Sequence, residues 1–249
     1  CADVTGVQTC ALPICEHPMI KQNLPLALEP FFMGMSESVV RQIEPLVYHR
    51  EYESRQIIHF PEDPCDFVFW VREGRVKVTR VSGDGRELTF RHLLPGDMLG
   101  EECLLQREKR SDYAEAMGLT TLCLMRAEDF CRLHYQHLEL ANRVSKHLCR
   151  RALELENVLS DTVFTSVRRR VASGLLRLYR RERSEEGKLP SNGGTLCVTH
   201  QEVANLIGST RETTTSVLHG LREEGILKMA NRRLTVLDSV ALAHLAGRS

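Results

Sequence analysis

Between Glu51 and Met125 the apolar positions come in short runs separated by turn residues. The runs are Gln56–Phe60, Asp66–Val71, Arg75–Val81, Glu87–Leu93 and Ala114–Met125. The Ser-Gly-Asp-Gly sequence after Val81 is typical of a β-hairpin turn. Short strands at regular spacing with glycine turns predict an all-β sandwich or barrel. Before it, the amphipathic stretch Phe31–Leu46 predicts a short opening helix.

Near Ala127 the apolar spacing changes to the helical period, and neither Gly nor Pro follows before Ser173. Apolar or small residues then recur at alternating steps of four and three: Leu148, Ala152, Leu155, Leu159 and Thr162. This is the spacing of a coiled-coil seam. A helix of this length has more surface than a small β domain can cover. We therefore expect it to form the interface of a homodimer.

The segment Thr199–Leu221 carries the most informative pattern of the chain. Thr199 with Glu202 three residues later predicts a capping box at a helix N-terminus. Gly208 permits the left-handed backbone of a tight turn, after which Ser209 or Thr210 caps a second helix. This pattern predicts a helix-turn-helix whose second helix enters the major groove of DNA. The basic segment that follows, around residues 225–237, predicts a β-hairpin wing.

Polar residues at the start of the second helix and on the wing are the candidate DNA contacts. They are Gln201, Ser209, Arg211, Glu212, Thr215, Ser216, Arg232 and Arg233. The positions from Arg211 to Ser216 lie where such a helix contacts base edges, whereas Gln201 and the wing arginines are expected to contact phosphates. Residues 164–249 carry a net charge of +6 and residues 1–163 a net charge of −6. This asymmetry indicates that the basic C-terminal part binds a polyanion such as DNA.

Several segments resemble the cAMP receptor protein/FNR (Crp/Fnr) family of transcription regulators. Ile207–Thr213 resembles the entry of the family's recognition helix, and Val68–Val78 and Pro95–Glu101 resemble its β-roll. The resemblance covers about residues 30–240. It implies an α+β fold with a cyclic-nucleotide-binding-like sensor β-roll (jelly roll), a long dimerisation helix and a C-terminal winged helix-turn-helix.

We assign residues 24–133 to the sensor, 134–163 to the dimerisation helix and 164–249 to the winged helix-turn-helix. The resemblance also implies the partners. They are a second copy of the chain, double-stranded DNA with a palindromic promoter site, and RNA polymerase.

In the family, a cyclic-nucleotide cassette holds the effector, and Gly100-Glu101 and Arg110-Ser111 stand at its positions here. The resemblance implies that the Glu accepts a hydrogen bond from a ribose hydroxyl and that the Arg pairs with a phosphate. By the same resemblance, Leu155 and Glu156 stand where the family has a Thr-Ser pair that holds adenine. The candidate effector contacts are therefore Gly100, Glu101, Arg110, Ser111 and Glu156.

Departures from the cassette leave the effector open. The loop is one residue shorter than in the cAMP receptor protein, and Glu102 adds an acid that opposes phosphate binding if it points inward. A cyclic nucleotide is the first candidate cofactor, and a guanine-containing ligand is included because Glu156 can accept a hydrogen bond from guanine.

Haem or redox sensing, and action on a protein partner, are the alternative functions. An FNR-like iron–sulfur cluster needs four suitably placed thiolates, and the N-terminal cysteine cluster that would supply them is missing here or belongs to the adapter segment. The spacing of the other cysteines fits no zinc module. Cys131, His134 and His137 lie on one side of a helix as a candidate metal or haem patch, although an ordinary helix surface accounts for the pattern. We predict no bound metal. Because no nucleophile–base pair, Walker loop or metal-ligand set is found, we expect no enzymatic activity.

Residues 1–15 are expected to derive from a cloning or sequencing oligonucleotide rather than from the natural protein. Val4–Ile14 reads VTGVQTCALPI, which matches the translation of a widely used sequencing adapter. We exclude residues 1–15 from fold reasoning and expect the natural chain to begin near Cys15 or Glu16. No apolar run approaches the ~18 residues of a membrane helix, and no secretion signal opens the chain. We therefore expect a soluble cytoplasmic protein without a membrane partner.

Overall fold

The structure is a computed structural model that describes residues 25–105, 109–184, 194–196, 198–230 and 233–247. The predicted adapter segment, residues 1–15, lies outside this range, as do Cys197 and Arg232. The strands are β1 (Tyr48–Tyr52), β2 (Ile57–His59), β3 (Phe67–Glu73), β4 (Val76–Val81), β5 (Glu87–Leu93), β6 (Met98–Leu99), β7 (Tyr113–Ala116), β8 (Thr120–Arg126), β9 (Gly194–Leu196), β10 (Leu227–Ala230) and β11 (Arg233–Val236). The helices are α1 (Glu37–Ile43), α2 (Ala127–Gln136), α3 (Leu138–Phe164), α4 (Val167–Ser184), α5 (His200–Ile207), α6 (Arg211–Glu223) and α7 (Ser239–Leu245).

The chain divides into two compact units, which interleave along the sequence. Among the described residues, the first unit comprises residues 25–76 together with those of Pro95–Leu140, and the second comprises Lys77–Leu94 together with those from Ala141 onward. The β4–β5 hairpin therefore belongs with the C-terminal half, although it lies in sequence among the strands of the first unit.

In the first unit, an antiparallel sheet has the strand order β1-β8-β3-β6, and β2 pairs with β7. Central β8 and β3 are largely buried, because β3 begins with the apolar run FVFWV and β8 carries the apolar run LCLM. An aromatic cluster fills the core: Phe32 and Phe130 lie 5.1 and 5.7 Å from Trp70 between ring centroids. Such pairs add stability beyond the area that they bury.

In the second unit, α4–α7 and the small sheet β10-β11-β9 share one apolar core. Leu175, Leu218 and Val236 are completely buried there. Glycine allows close helix approach at Gly174, where an added Cβ would come within 3.1 Å of Ile207 Cγ2. The predicted β4–β5 hairpin is confirmed, since Ser82 N–H donates to the Arg86 carbonyl at 2.9 Å.

Two local predictions were wrong. The predicted helix Phe31–Leu46 is reduced to α1, because Gly34 has a φ of +81° and Ser36 is extended before the helix begins. The predicted single run Ala114–Met125 is two strands, β7 and β8, divided at Gly118 with a φ of +118°. Strand β1 was not predicted, and the helical run after Ala127 is interrupted at His137, which has an extended backbone.

Candidate DNA interface and effector loop

The helix-turn-helix has the predicted caps. Thr199 Oγ1 accepts from Glu202 N–H at 3.2 Å, and a Glu202 carboxylate oxygen accepts from Thr199 N–H at 2.6 Å, which completes the capping box. Gly208 has the left-handed backbone that the turn requires, with φ 62° and ψ 46°. Of the two candidates for the second cap, Thr210 is the N-cap of α6, and its side chain accepts from Thr213 N–H.

The first turns of α6 present most of the predicted base-reading side chains to solvent. Arg211, Glu212 and Ser216 are exposed, and Ser209 is half-buried just before the helix. The opposite face is held by Leu218 and the other buried residues of α6. The helix therefore offers an arginine and a carboxylate at its N-terminal end, where guanine and cytosine edges are contacted in major-groove recognition.

Two predicted DNA contacts already have partners within the second unit. Thr215 Oγ1 lies 3.0 Å from His200 Nδ1. Burial lowers the pKa of His200, with His219 and Arg211 adding to the effect, which favours the neutral imidazole. Gln201 Nε2 donates to Asn205 Oδ1 at 2.7 Å, and Asn205 Nδ2 donates to Glu87 Oε2 at 2.9 Å. The second N–H of the exposed Gln201 amide can still donate to a phosphate, because an amide nitrogen carries two donors.

Of the wing arginines, Arg233 is exposed and opens β11, where it lies opposite Ala230. Arg232 lies outside the described residues. The wing is the β10–β11 hairpin predicted from the sequence, and β9 extends its sheet. Its exposed guanidinium suits a phosphate contact.

The loop that the sequence analysis assigns to the effector begins at Gly100, whose φ of +98° favours glycine. A Cβ there would come within 2.7 Å of the Phe67 carbonyl oxygen and 2.9 Å of Arg110 Nη1. The predicted cassette residues Glu101 and Arg110 are both buried, whereas Ser111 is exposed. Gly100 thus leaves space for the guanidinium that the sequence assigns to a phosphate.

Arg110 is only 2% exposed, and its charge is already engaged. Its Nη1 donates to Glu102 Oε1 at 2.6 Å, and its Nη2 donates to the Phe67 carbonyl. The guanidinium also lies 5.8 Å from the centroid of the Phe69 ring. Glu102 therefore does point inward, and its carboxylate is paired with Arg110.

Helix α3 carries Glu156 on an exposed position. The predicted seam residues on the same helix are exposed as well, with Leu155 at 41% and Leu159 at 65%. Apolar side chains at this spacing and exposure fit a second helix packed against them.

The cysteines and histidines are arranged differently from the predicted patch. Cys131 Sγ lies 3.9 Å from Cys103 Sγ, and burial raises the pKa of the Cys103 thiol, with Cys131 adding to the effect. Cys131, His134 and His137 do not form a converging ligand group. Among the described residues, three potential ligand atoms within 4.8 Å of one another occur instead at Glu29, His49 and Cys123. Sequence analysis missed this group because its members are far apart in the chain.

Two family models match the chain. Residues 49–137 match the "Cyclic nucleotide-binding domain", and residues 169–245 match the "Crp-like helix-turn-helix domain". Together they cover more than half of the chain. Within the described residues, no helix is long and apolar enough to cross a membrane.

Several proteins are similar in sequence to this chain over most of their length. A protein named cyclic AMP receptor protein, from Thermus thermophilus, is 30% identical over 217 residues, which are 87% of this chain and 96% of that relative. A "CRP-like cAMP-activated global transcriptional regulator" from Mycobacterium tuberculosis is 28% identical and covers 89% of this chain and 98% of its own. A global nitrogen regulator from Synechococcus elongatus is 31% identical over 78% of this chain and 87% of its own.

Among solved structures, a CRP-family transcriptional regulator from Thermus thermophilus superposes with a TM-score of 0.67 at 28% identity, over 80% of this chain and 97% of that chain. These similarities confirm the predicted α+β fold class, with an N-terminal cyclic-nucleotide-binding β-sandwich and a C-terminal helix-turn-helix. They also confirm the predicted role in DNA-binding transcription regulation.

Proposed function

Because the chain belongs to the Crp/Fnr family of transcription regulators, we propose that a small effector in the β-sandwich controls its binding to a palindromic promoter site. The observation that carries the proposal is the buried Arg110–Glu102 pair beside Gly100. The buried Arg110 guanidinium lies at the end of a loop that begins with Gly100. Such a cation is suited to bind an anionic ligand.

The effector would act by exchange of one anion for another at Arg110. An incoming phosphate displaces the Glu102 carboxylate, which then turns toward solvent. Breaking a buried ion pair without replacement costs about 3–5 kcal/mol, so the site selects ligands that restore the lost bonds. Glu102 belongs to the short 3-10 turn Glu101–Leu105, and its release gives the loop a second conformation.

Cyclic nucleotides are the first effectors to test. Relatives of this chain are named for cyclic AMP, and Glu101, Arg110 and Ser111 supply a carboxylate, a cation and a hydroxyl for ribose and phosphate. Glu156 stands at the base-contacting position by resemblance. Its carboxylate accepts hydrogen bonds, as guanine N–H groups require, so cyclic GMP belongs in the same experiment.

On the DNA side, a homodimer would place two copies of α6 about one helical turn apart. The exposed seam on α3 supports the dimer, and RNA polymerase would be the protein partner. Arg211, Glu212 and Ser216 are the proposed base-reading residues, with Ser209 and Thr215 beside them. Gln201, Arg232 and Arg233 are the proposed phosphate contacts.

The test is calorimetric titration of cyclic AMP and cyclic GMP into the wild-type protein and the Glu102→Gln variant. Glutamine keeps the size of the side chain but removes the charge that competes with phosphate. We expect at least ~10-fold tighter binding, which corresponds to about 1.4 kcal/mol.

Glu62→Gln is the matched control, because Glu62 pairs with the neighbouring Lys109 at 3.1 Å on the exposed surface. Equal affinities in wild type and the two variants would contradict anion exchange at Arg110. If neither nucleotide binds, native mass spectrometry of the purified protein distinguishes the haem and iron–sulfur alternatives. A gel-shift assay with genomic fragments distinguishes a DNA regulator from a subunit that acts on a protein partner.

A further inference from the structure

Three buried side chains with metal-binding atoms converge in the first unit, and none of them belongs to the loop that carries Gly100 and Arg110. Glu29 precedes the aromatic core, His49 lies on β1 and Cys123 lies on β8. Their ligand atoms all lie within 4.8 Å of one another. His49 and Cys123 are direct partners in the β1–β8 register, which places their side chains together on one face of the sheet.

His49 has no hydrogen-bond partner for either ring nitrogen, although the residue is only 5% exposed. Its Nε2 lies 3.8 Å from Glu29 Oε1, which is beyond hydrogen-bond distance. Buried polar atoms are almost always satisfied in folded proteins. An imidazole left unsatisfied between a carboxylate and a thiol therefore points to a ligand that all three side chains share.

We propose that Glu29, His49 and Cys123 bind a single Zn²⁺ ion or another thiophilic divalent ion of similar size. Zinc is bound in proteins by thiolate sulfur, imidazole nitrogen and carboxylate oxygen, and this site offers one of each. The site is separate from the patch at Cys131, His134 and His137.

The geometry needs only a small contraction. Ligands about 2.0–2.3 Å from a tetrahedral zinc lie about 3.3–3.8 Å from one another, against a present limit of 4.8 Å. Three protein ligands leave one coordination position for water or a small molecule.

Binding of the ion requires that the Cys123 thiol lose its proton. On binding, the S–H bond breaks, a zinc–sulfur bond forms and the proton leaves to solvent. The thiolate and the Glu29 carboxylate then place two negative charges beside the 2+ charge of the ion. Arg72, whose Nε lies 3.4 Å from Glu29 Oε1, is placed to orient that carboxylate.

The ion would join the segment before α1 to the edge strand β1 and the central strand β8. Because an ion that binds only the folded protein stabilises it, the melting temperature of the first unit would depend on metal.

The experiment uses the full chain after removal of metal with a chelator, and Co²⁺ as the first probe. We expect one Co²⁺ to bind per chain, with thiolate-to-cobalt charge-transfer absorption in the near ultraviolet. Zn²⁺ should displace that Co²⁺ and should raise the melting temperature above that of the metal-free protein. Cys123→Ser should abolish the absorption. His49→Gln should weaken binding at least 10-fold, and it carries the test if Cys123→Ser does not fold.

Cys103→Ser is the matched control, because Cys103 is also buried but faces Cys131. It should keep the absorption and the Zn²⁺-dependent melting shift. The proposal is overturned if the folded wild-type protein gives no thiolate absorption, if His49→Gln binds Co²⁺ as tightly as wild type, or if Cys103→Ser rather than Cys123→Ser loses the absorption.

Discussion

Arg110 and Arg211 are both predicted to bind a negatively charged or electron-rich partner, but the structure gives them opposite surroundings. Arg110 is buried, paired with Glu102 and bonded to a backbone carbonyl. Arg211 is exposed at the first position of α6. A buried, neutralised cation responds only to a ligand that replaces its partner, whereas an exposed one contributes to binding any suitable surface. Under the proposed function, exchange of anions would set ligand selectivity at Arg110, and the shape and base edges of the DNA groove would set it at Arg211.

The largest effect is expected from Arg110→Leu. It leaves Glu102 without its cation, and since that carboxylate is 20% exposed we expect a loss of about 2–4 kcal/mol, somewhat below the figure for a fully buried pair. Effector-dependent DNA binding should also be lost while the dimer remains. Chemical denaturation, sedimentation and gel shift measure the three properties.

Lys109→Leu is the control for that variant. Lys109 is the adjacent residue, but its pair with Glu62 is 62% and 75% exposed, so its loss should cost no more than ~0.5 kcal/mol. The double variant Arg110→Leu, Glu102→Leu should regain most of the stability without regaining the effector response. Similar costs for Lys109→Leu and Arg110→Leu would remove the distinction between buried and exposed charge.

Next in size is Arg211→Ala, which should weaken binding to the specific site by roughly 1–3 kcal/mol and change the preferred base at one position in each half-site. Binding-site selection with randomised duplexes measures this. Ser216 is exposed on the same helix but has a short side chain with no charge, so its substitution by Ala should change the base preference less than Arg211→Ala does. An unchanged preference in Arg211→Ala would show that Arg211 contacts no base.

The smallest effect is expected from Arg233→Ala on the wing. Loss of one phosphate contact should weaken binding to all sequences alike and lower the slope of affinity against salt by about one. DNA affinity is measured at several salt concentrations for the wild type, Arg233→Ala and Arg211→Ala. A changed base preference in Arg233→Ala would mean that the wing reads sequence.

The helix-turn-helix was predictable because its determinants are local. The capping box at Thr199 and the turn at Gly208 each depend on a few neighbouring residues. The sequence left the cap of α6 open between Ser209 and Thr210, because either hydroxyl can accept from the helix N-terminus. Thr215 looked like a free base reader, but its partner His200 lies on another helix.

The first unit was harder to predict because its contacts cross strands. Whether Glu102 points inward depends on the path of the loop back to Arg110, which residue types alone do not specify. The grouping of His49 with Cys123 depends on the β1–β8 register across 74 positions of sequence, and β1 itself was not predicted. A strand prediction at Tyr48–Tyr52 would have been the first step toward that site.

The hydrogen bond from Asn205 to Glu87 has a consequence for evolution and engineering. The two residues lie 118 positions apart, yet both belong to the second unit. A chimera that takes residues 164–249 from a relative would keep Glu87 of this chain but would carry the relative's residue at position 205. The hydrogen bond to Glu87 would then be lost wherever that residue cannot donate. Such hybrids should therefore need the β4–β5 hairpin from the same parent, and positions 87 and 205 should change together among homologues.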